Sequence, residues 1–283
     1  MNEVKSVILL IIWVTSFLLG IINLPQTQIS FLDVGQGDCI LIKTNKGKYI
    51  LIDGGPDLNS IYQVGKNMKS VSEFSLVVLT HPHADHINGF WYLSNRFEFE
   101  NILINDVHYE NAVWDSFKQK CEKMECKNLG EKRELSIEID GLNIDLWAPN
   151  CEGWVRNVNN CSIITLVKYD DYDFLLMGDA EQEEEELFIE EYGSKLKDIE
   201  VLKAGHHCSR TASDEKFVEY INPEIAICSV GVDNQSKHPH EETIELFNKY
   251  NIKILRTDYL GSIIFNISKT GSISIFTDRT YQL

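Results

Sequence analysis

Basic charge is what this 283-residue chain has least of: 26 lysines and arginines stand against 43 aspartates and glutamates, a formal net charge of −17. Proteins that grip nucleic acid neutralise phosphates with clustered cations, so a basic tracking face is not expected. The deficit does not count against a metal site, because a bound cation brings its own positive charge. Also missing are a Gly-x-Gly-x-x-Gly turn after a first strand and a P-loop, which argues against nucleotide-cofactor chemistry. From Gln28 onward there is no linker, low-complexity tract or internal repeat, so one domain over residues 26–283 is expected. Hydrophobic residues at 43% and aromatics at 10% suffice for a globular core and exclude a disordered chain. Seven cysteines are too few for a disulfide-built scaffold, and their odd number leaves at least one unpaired or bonded to another chain. Cys121 and Cys126 are the easiest pair to imagine; small buried thiols are an equally good reading of most of the seven.

One long apolar run is present, at residues 7–24, preceded only by Glu3 and Lys5 as charges. About 18 residues just suffice to span a hydrocarbon core as a helix. No Ala-x-Ala cleavage pattern and no lipobox cysteine follow, so residues 1–25 read as an uncleaved signal anchor in preference to a cleaved signal peptide. The absence of a polar face argues against a buried core helix. Orientation rests on Lys5 and the amino terminus alone. The expectation is a membrane-anchored or secreted protein whose soluble domain lies outside the cytoplasm, where cysteines can oxidise.

Strands are expected at residues 29–34, 39–43, 49–52, 74–79, 102–104, 144–147, 162–168, 174–177, 200–202, 225–229, 252–255 and 262–267. Helices are expected at 88–95, 112–123, 181–196, 215–221 and 241–250. Strands outnumber helices, and hairpin-like pairs mix with strand-helix-strand units. That combination predicts an α/β sandwich of helix-covered sheets, not a doubly wound fold.

The densest chemistry is Thr80-His81-Pro82-His83-Ala84-Asp85-His86, directly after the 74–79 strand. His81 and His83, two apart in extended backbone, project to one side. Asp85 and His86 come where the chain should turn into a helix, so they can face a neighbouring position. Imidazole and carboxylate donors together suit zinc, manganese or iron, and two adjacent cations fit this spacing. Asp53, at the end of the 49–52 strand, reads as a carboxylate that orients the histidine loop without ligating. Gly54 and Gly55 would permit tight turns there.

Further segments fall in a telling order: Phe31-Leu32-Asp33-Val34-Gly35-Gln36-Gly37-Asp38, Ile52-Asp53-Gly54-Gly55, Met177-Gly178-Asp179, Leu202-Lys203-Ala204-Gly205-His206-His207-Cys208-Ser209 and His238-Pro239-His240. With the His-x-His-x-Asp-His signature, the chain resembles the metallo-β-lactamase superfamily. Within it, the order is similar to the hydrolase domain of ComEC-type competence proteins and stand-alone relatives, including phosphorylcholine esterases of bacterial surfaces. The resemblance implies an αββα sandwich with two divalent metal ions at one edge of the sheets. It implies that His81 and His83 hold the first metal, Asp85 and His86 the second, and that Asp179 bridges both. One of His206 and His207 would complete the second site while the other faces substrate; His207 is preferred as the ligand, and His206, with Asp85, as the catalytic pair. Family members usually carry glycine at the place of Cys208, whose thiol could be a ligand, a redox liability or a tolerated small residue, the last being preferred. No histidine lies between His108 and His206, so the first metal would have only His81, His83 and Asp179, an open site. Asn160 or Ser162 could hydrogen-bond a water or substrate oxygen there. His238 and His240, on a loop stiffened by Pro239, are candidates for phosphate or leaving-group contact, with surface histidines an equal alternative. The Gln36-Gly37-Asp38 turn reads as architectural.

The expected activity is metal-assisted hydrolysis by a metal-bound hydroxide at a dinuclear site, with His206 assisting the leaving group. Phosphodiesters are preferred over β-lactams on the branch resemblance alone. A small phosphoester, or a surface glycan or lipid polymer bearing one, fits the acidic surface best. The alternatives are a ComEC-like nuclease acting on incoming DNA, opposed by the net charge and the acidic run 181–191, and a catalytically silent metal-binding module of a surface or competence assembly.

Overall fold

The computed structural model describes residues 26–68, 73–151, 153, 155–196, 199–269 and 271–280. The apolar run at 7–24, with its expected anchor or signal role, lies outside those residues. Among the described residues, no helix is long and apolar enough to cross a membrane.

β1 (Thr27–Phe31), β2 (Ile40–Lys43) and β3 (Tyr49–Ile52) form an antiparallel meander. After α1 (Asn59–Asn67) and the two-residue β4 (Glu73–Phe74), the chain returns parallel to β3 as β5 (Leu76–Leu79). Then follow α2 (Ala84–Leu93), β6 (Glu98–Phe99), which pairs with β4, β7 (Ile102–Ile104), α3 (Ala112–Lys123) and β8 (Lys127–Asn128). β7 and β8 extend the sheet in parallel. The second sheet opens with an antiparallel run of β9 (Glu134–Ile139), β10 (Leu142–Trp147), β11 (Ile164–Tyr169) and β12 (Tyr172–Leu176). It becomes parallel after α4 (Gln182–Tyr192), through β13 (Val201–Lys203), α5 (Glu215–Ile221), β14 (Ile225–Cys228), α6 (Glu241–Lys249) and β15 (Lys253–Arg256). Beyond α7 (Thr257–Leu260), β16 (Ile263–Ile267) returns to pair with β1, and β17 (Ile273–Thr277) closes that edge.

Successive residues of a strand face opposite sides, and in the central strands both sides are apolar. Ile50 and Ile52 enter the layer between the sheets, whereas Tyr49 and Leu51 pack beneath the helices of the first half. In β12, Leu176 faces the inter-sheet layer and Leu175 the helices of the second half. The layers therefore run helix, sheet, sheet, helix, the expected αββα order. Most expected elements occur within a few residues of their predicted bounds. The helix expected at 88–95 starts earlier, at Ala84, so Asp85 and His86 stand in its first turn. Six elements were not expected: α1, β6, β8, β9, α7 and β17. β9 carries only one buried residue, Ile139, and so lacks the apolar run that marks the inner strands.

Three disulfides form: Cys121–Cys126, Cys151–Cys161 and Cys208–Cys228, with Cys39 free and buried. The first is the expected pair. Cys208 is not merely a tolerated small residue. It bonds the histidine turn to the end of β14.

α4 is anchored by a carboxyl group inside the protein, its pKa raised to about 8 by burial. Glu185 is fully buried and accepts from the amides of Ser213 (2.7 Å) and Asp214 (2.8 Å). It thereby ties α4 to the loop that follows the His206-His207 turn. Replacing it leaves two amides without acceptors, so Glu185→Ala should lower stability by about 2–4 kcal/mol, read as a drop in unfolding midpoint in urea. An unchanged midpoint would contradict this role.

Candidate metal centre

The predicted ligands converge because they sit at the carboxyl ends of neighbouring strands. Thr80 and His81 follow β5, Gly178 and Asp179 follow β12, and the His206-His207 turn follows β13. The two sheets bring these ends to one edge. His81, His86, Asp179 and His207 are all at most 1% exposed. His86 Nε2 lies 3.3 Å from Asp179 Oδ1, and His207 Nε2 lies 3.4 Å from Asp179 Oδ2 and 3.2 Å from Asp85 Oδ2. On the other side, His81 Nε2 is 3.7 Å from Asp179 Oδ2, with the His83 ring beside it at 4.8 Å between centroids. Among the described residues three donor sets have their atoms within 4.8 Å of one another: Asp85, His86, Asp179 and His207; His81, His83 and Asp179; and Asp38, Asp53 and His86. Asp179 is common to the first two.

The outer nitrogens are held by the protein. His86 Nδ1 bonds Asp53 at 2.7 Å, and His207 Nδ1 bonds the carbonyl of Ser229 at 2.9 Å. Asp53 also accepts from the amide and hydroxyl of Thr80, both at 2.8 Å, so it fixes two points of the histidine loop. Gly55 does turn, at φ +73, but Gly54 serves a close approach: a Cβ there would meet the Phe90 amide at 2.4 Å. That leaves the inner atoms. His81 Nε2, His86 Nε2, His207 Nε2 and Asp179 Oδ1 are buried with no hydrogen-bond partner. Buried polar atoms are nearly always paired. Four orphans aimed at one space, in a mixed imidazole and carboxylate set, fit divalent cations.

Charge reinforces that fit. Burial opposes ionisation of Asp179, yet His207 and His86 hold its carboxyl well below the usual range. Burial likewise works against the charge of Asp85, and His86 and His207 overcome it. Burial disfavours a cationic His207, but Asp179, Asp85 and Asp38 raise it to about 9. His86 is held well above its ordinary value against the same penalty, by Asp179, Asp53 and Asp85. Burial keeps His81 well below, with His86 adding to the effect.

Further polar side chains line the open side. His206, 25% exposed, lies with Nε2 4.0 Å from Asp179 and Nδ1 2.8 Å from Glu181. Glu181 also accepts from Asn157, Asn159 and Thr211. His238 meets His206 edge-on at 5.2 Å between centroids, and His240 lies 4.7 Å beyond it. Burial and the neighbouring histidines push His238 down to about 4. Ser162 and Asn160 are engaged with the protein: the Ser162 hydroxyl accepts from the Asp179 amide at 3.0 Å, and Asn160 Oδ1 accepts from the Glu181 amide at 2.9 Å. Four residues of this network were not singled out as site residues in the sequence: Glu181, Asn157, Asn159 and Thr211. Glu181 sits two residues after Asp179, inside an acidic run that masked it.

Residues 32–232 match the model of the metallo-beta-lactamase superfamily. The ComE operon protein 3 of Bacillus subtilis is 24% identical over 271 residues, covering 89% of this chain and 34% of that protein. Competence protein ComA of Neisseria gonorrhoeae is 26% identical over 270 residues, covering 92% and 36%. The chain thus spans about a third of the length of these curated relatives. Among solved structures, Tm1679, a metal-dependent hydrolase of the beta-lactamase superfamily, aligns with TM-score 0.54 at 13% identity over 89% of this chain and 100% of that one. The β-hydroxylase CmlA, as its E377D mutant, aligns with TM-score 0.56 at 10% identity over 85% and 54%. At such identities the likeness concerns the fold.

The raised values of His207 and His86 mean that a cation must displace protons to bind at neutral pH. Zinc affinity should therefore strengthen by at least about tenfold per unit as pH rises from 7 towards 9, and less steeply above. Competition against a chelator of known affinity at each pH measures this. A pH-independent affinity would contradict it.

Proposed function

The chain belongs to the metallo-β-lactamase superfamily, and within it we propose a phosphodiesterase with a dinuclear metal site. His81, His83 and Asp179 would hold one cation, and Asp85, His86, His207 and Asp179 the other; zinc, manganese and iron all suit such donors. When bound, the pair acidifies water and offsets negative charge on phosphate oxygens. The observation that carries this reading is the set of buried, unpartnered inner atoms around Asp179.

The chain's own side chains do the remaining work. Asp53 and the Ser229 carbonyl fix the rings of His86 and His207 through Nδ1, which keeps each Nε2 facing inward. Glu181 holds His206 the same way and leaves its Nε2 free to give a proton to a departing alkoxide. A neutral His238 keeps one N–H at neutral pH and can donate it to a substrate oxygen. The three disulfides support a domain that works outside the cytoplasm, where such bonds persist.

A net charge of −17 favours a small phosphodiester, free or on a surface polymer, over a polyanion. The competence proteins among the relatives favour a second reading, cleavage of DNA. A salt series separates the two. DNA cleavage that is strong at physiological ionic strength would establish the second.

With zinc or manganese, the purified chain should hydrolyse bis(p-nitrophenyl) phosphate, and Asp179→Ala should reduce this to background. His206→Ala should cost about 10²–10⁴ in rate on a substrate with an alkyl leaving group and far less with nitrophenolate, which needs no proton. Equal losses on both substrates would overturn the role given to His206. No turnover with either metal would overturn the phosphodiesterase reading.

A further inference from the structure

Beneath the candidate metal centre lies an ion pair that the reaction leaves without a task. Lys203 ends β13 and its side chain is 0% exposed, as near to fully buried as Asp38 at 1%, whose Oδ2 it contacts. An ammonium in a sheet interior carries a large desolvation penalty, and an apolar residue of similar size would commonly serve packing better. The pair is better explained by what it ties together.

Lys203 Nζ donates to the carbonyl of Gly178 at 2.8 Å and lies 3.9 Å from Asp179 Oδ1. The amide of His206 donates to that same carbonyl at 3.2 Å. The turn presenting Asp179 and the turn presenting His206 and His207 are thus fastened to one atom. At the other end of the pair, Asp38 Oδ1 has no hydrogen-bond partner and lies 3.6 Å from His207 Nδ1. Both turns are in backbone conformations that need support. Gly178 is at φ +55, where a Cβ would come within 2.9 Å of the Ser162 Cβ. His206, His207 and Cys208 run at φ +44, +56 and +61, the left-handed region that side chains with a Cβ rarely adopt.

We propose that Lys203 and Asp38 are positioning residues for the metal site: their buried contact sets the spacing between Asp179 and His207, and metal affinity depends on it. The claim rests on the dinuclear reading above. Neither residue needs to ligate. Lys203 holds the Gly178 carbonyl, one residue before the shared carboxylate, and Asp38 faces the outer nitrogen of His207.

The test compares the full chain with its Lys203→Met/Asp38→Asn variant, which removes both charges together and leaves neither one buried alone. Zinc affinity, the visible spectrum of the cobalt-substituted protein and the melting curve of the metal-free protein are measured for each. The expected result is cooperative melting in the variant with zinc affinity lower by about 10–100-fold and an altered cobalt spectrum. Zinc affinity and a cobalt spectrum equal to those of the unmodified chain would overturn the proposal. Should the double variant fail to melt cooperatively, Asp38→Glu decides, since it keeps a carboxylate against Lys203, leaves neither charge buried alone and shifts the oxygen that faces His207. It is expected to weaken zinc binding about tenfold, and an unchanged affinity overturns the proposal. If the unmodified chain binds neither zinc nor cobalt, the dinuclear reading fails and this one with it.

Discussion

A carboxylate taken wholly out of water must be paired, and the pairing of Asp179 organises everything around it. Its neighbours are imidazole nitrogens that have no other bonding partner. In the metal-free protein, protons on His86 and His207 supply the compensating charge. Divalent cations can take that role over, because the same nitrogens and oxygens are their natural donors. The site is therefore an electrostatic arrangement that is tolerable without metal and far better satisfied with it.

Holding that arrangement requires two sheets. Asp53 and the histidine loop come from the first, and Asp179 and the His206-His207 turn from the second, so neither half of the chain builds the site alone. The apolar layer between the sheets sets their separation. Local devices then fix the angles: Asp53 against His86 and Thr80, Ser229 against His207, and Cys208–Cys228 across the base of the strained turn. Glu181 extends the pattern outward, orienting one further, partly exposed histidine beside the site.

What was legible in the sequence follows from distance along the chain. Four potential ligands within six residues announce themselves, and the central strands announce themselves by runs that are apolar on both faces. The order of the remaining motifs pointed to the superfamily and to Asp179 and His207, which Gly-Asp or His-His in isolation would not do. Edge elements such as β9 and β17 lack buried runs and were not foreseen. Cys151–Cys161 and Cys208–Cys228 were missed because thiols 10 and 20 residues apart carry no local sign of pairing. Glu181 and Lys203 were hidden for a related reason: their parts arise only once separate turns meet, and each looks like an ordinary charged residue in its own segment.

The claim on which all of this turns is that Asp179 is shared between two cations. A crystal structure of the zinc-loaded chain, with anomalous scattering used to place the metal, tests it directly. The account predicts two zinc ions per chain, one oxygen of Asp179 on each or one oxygen between them, with His81 and His83 on one side and His86 and His207 on the other. A single ion, or a pair that leaves Asp179 uncoordinated, would contradict it.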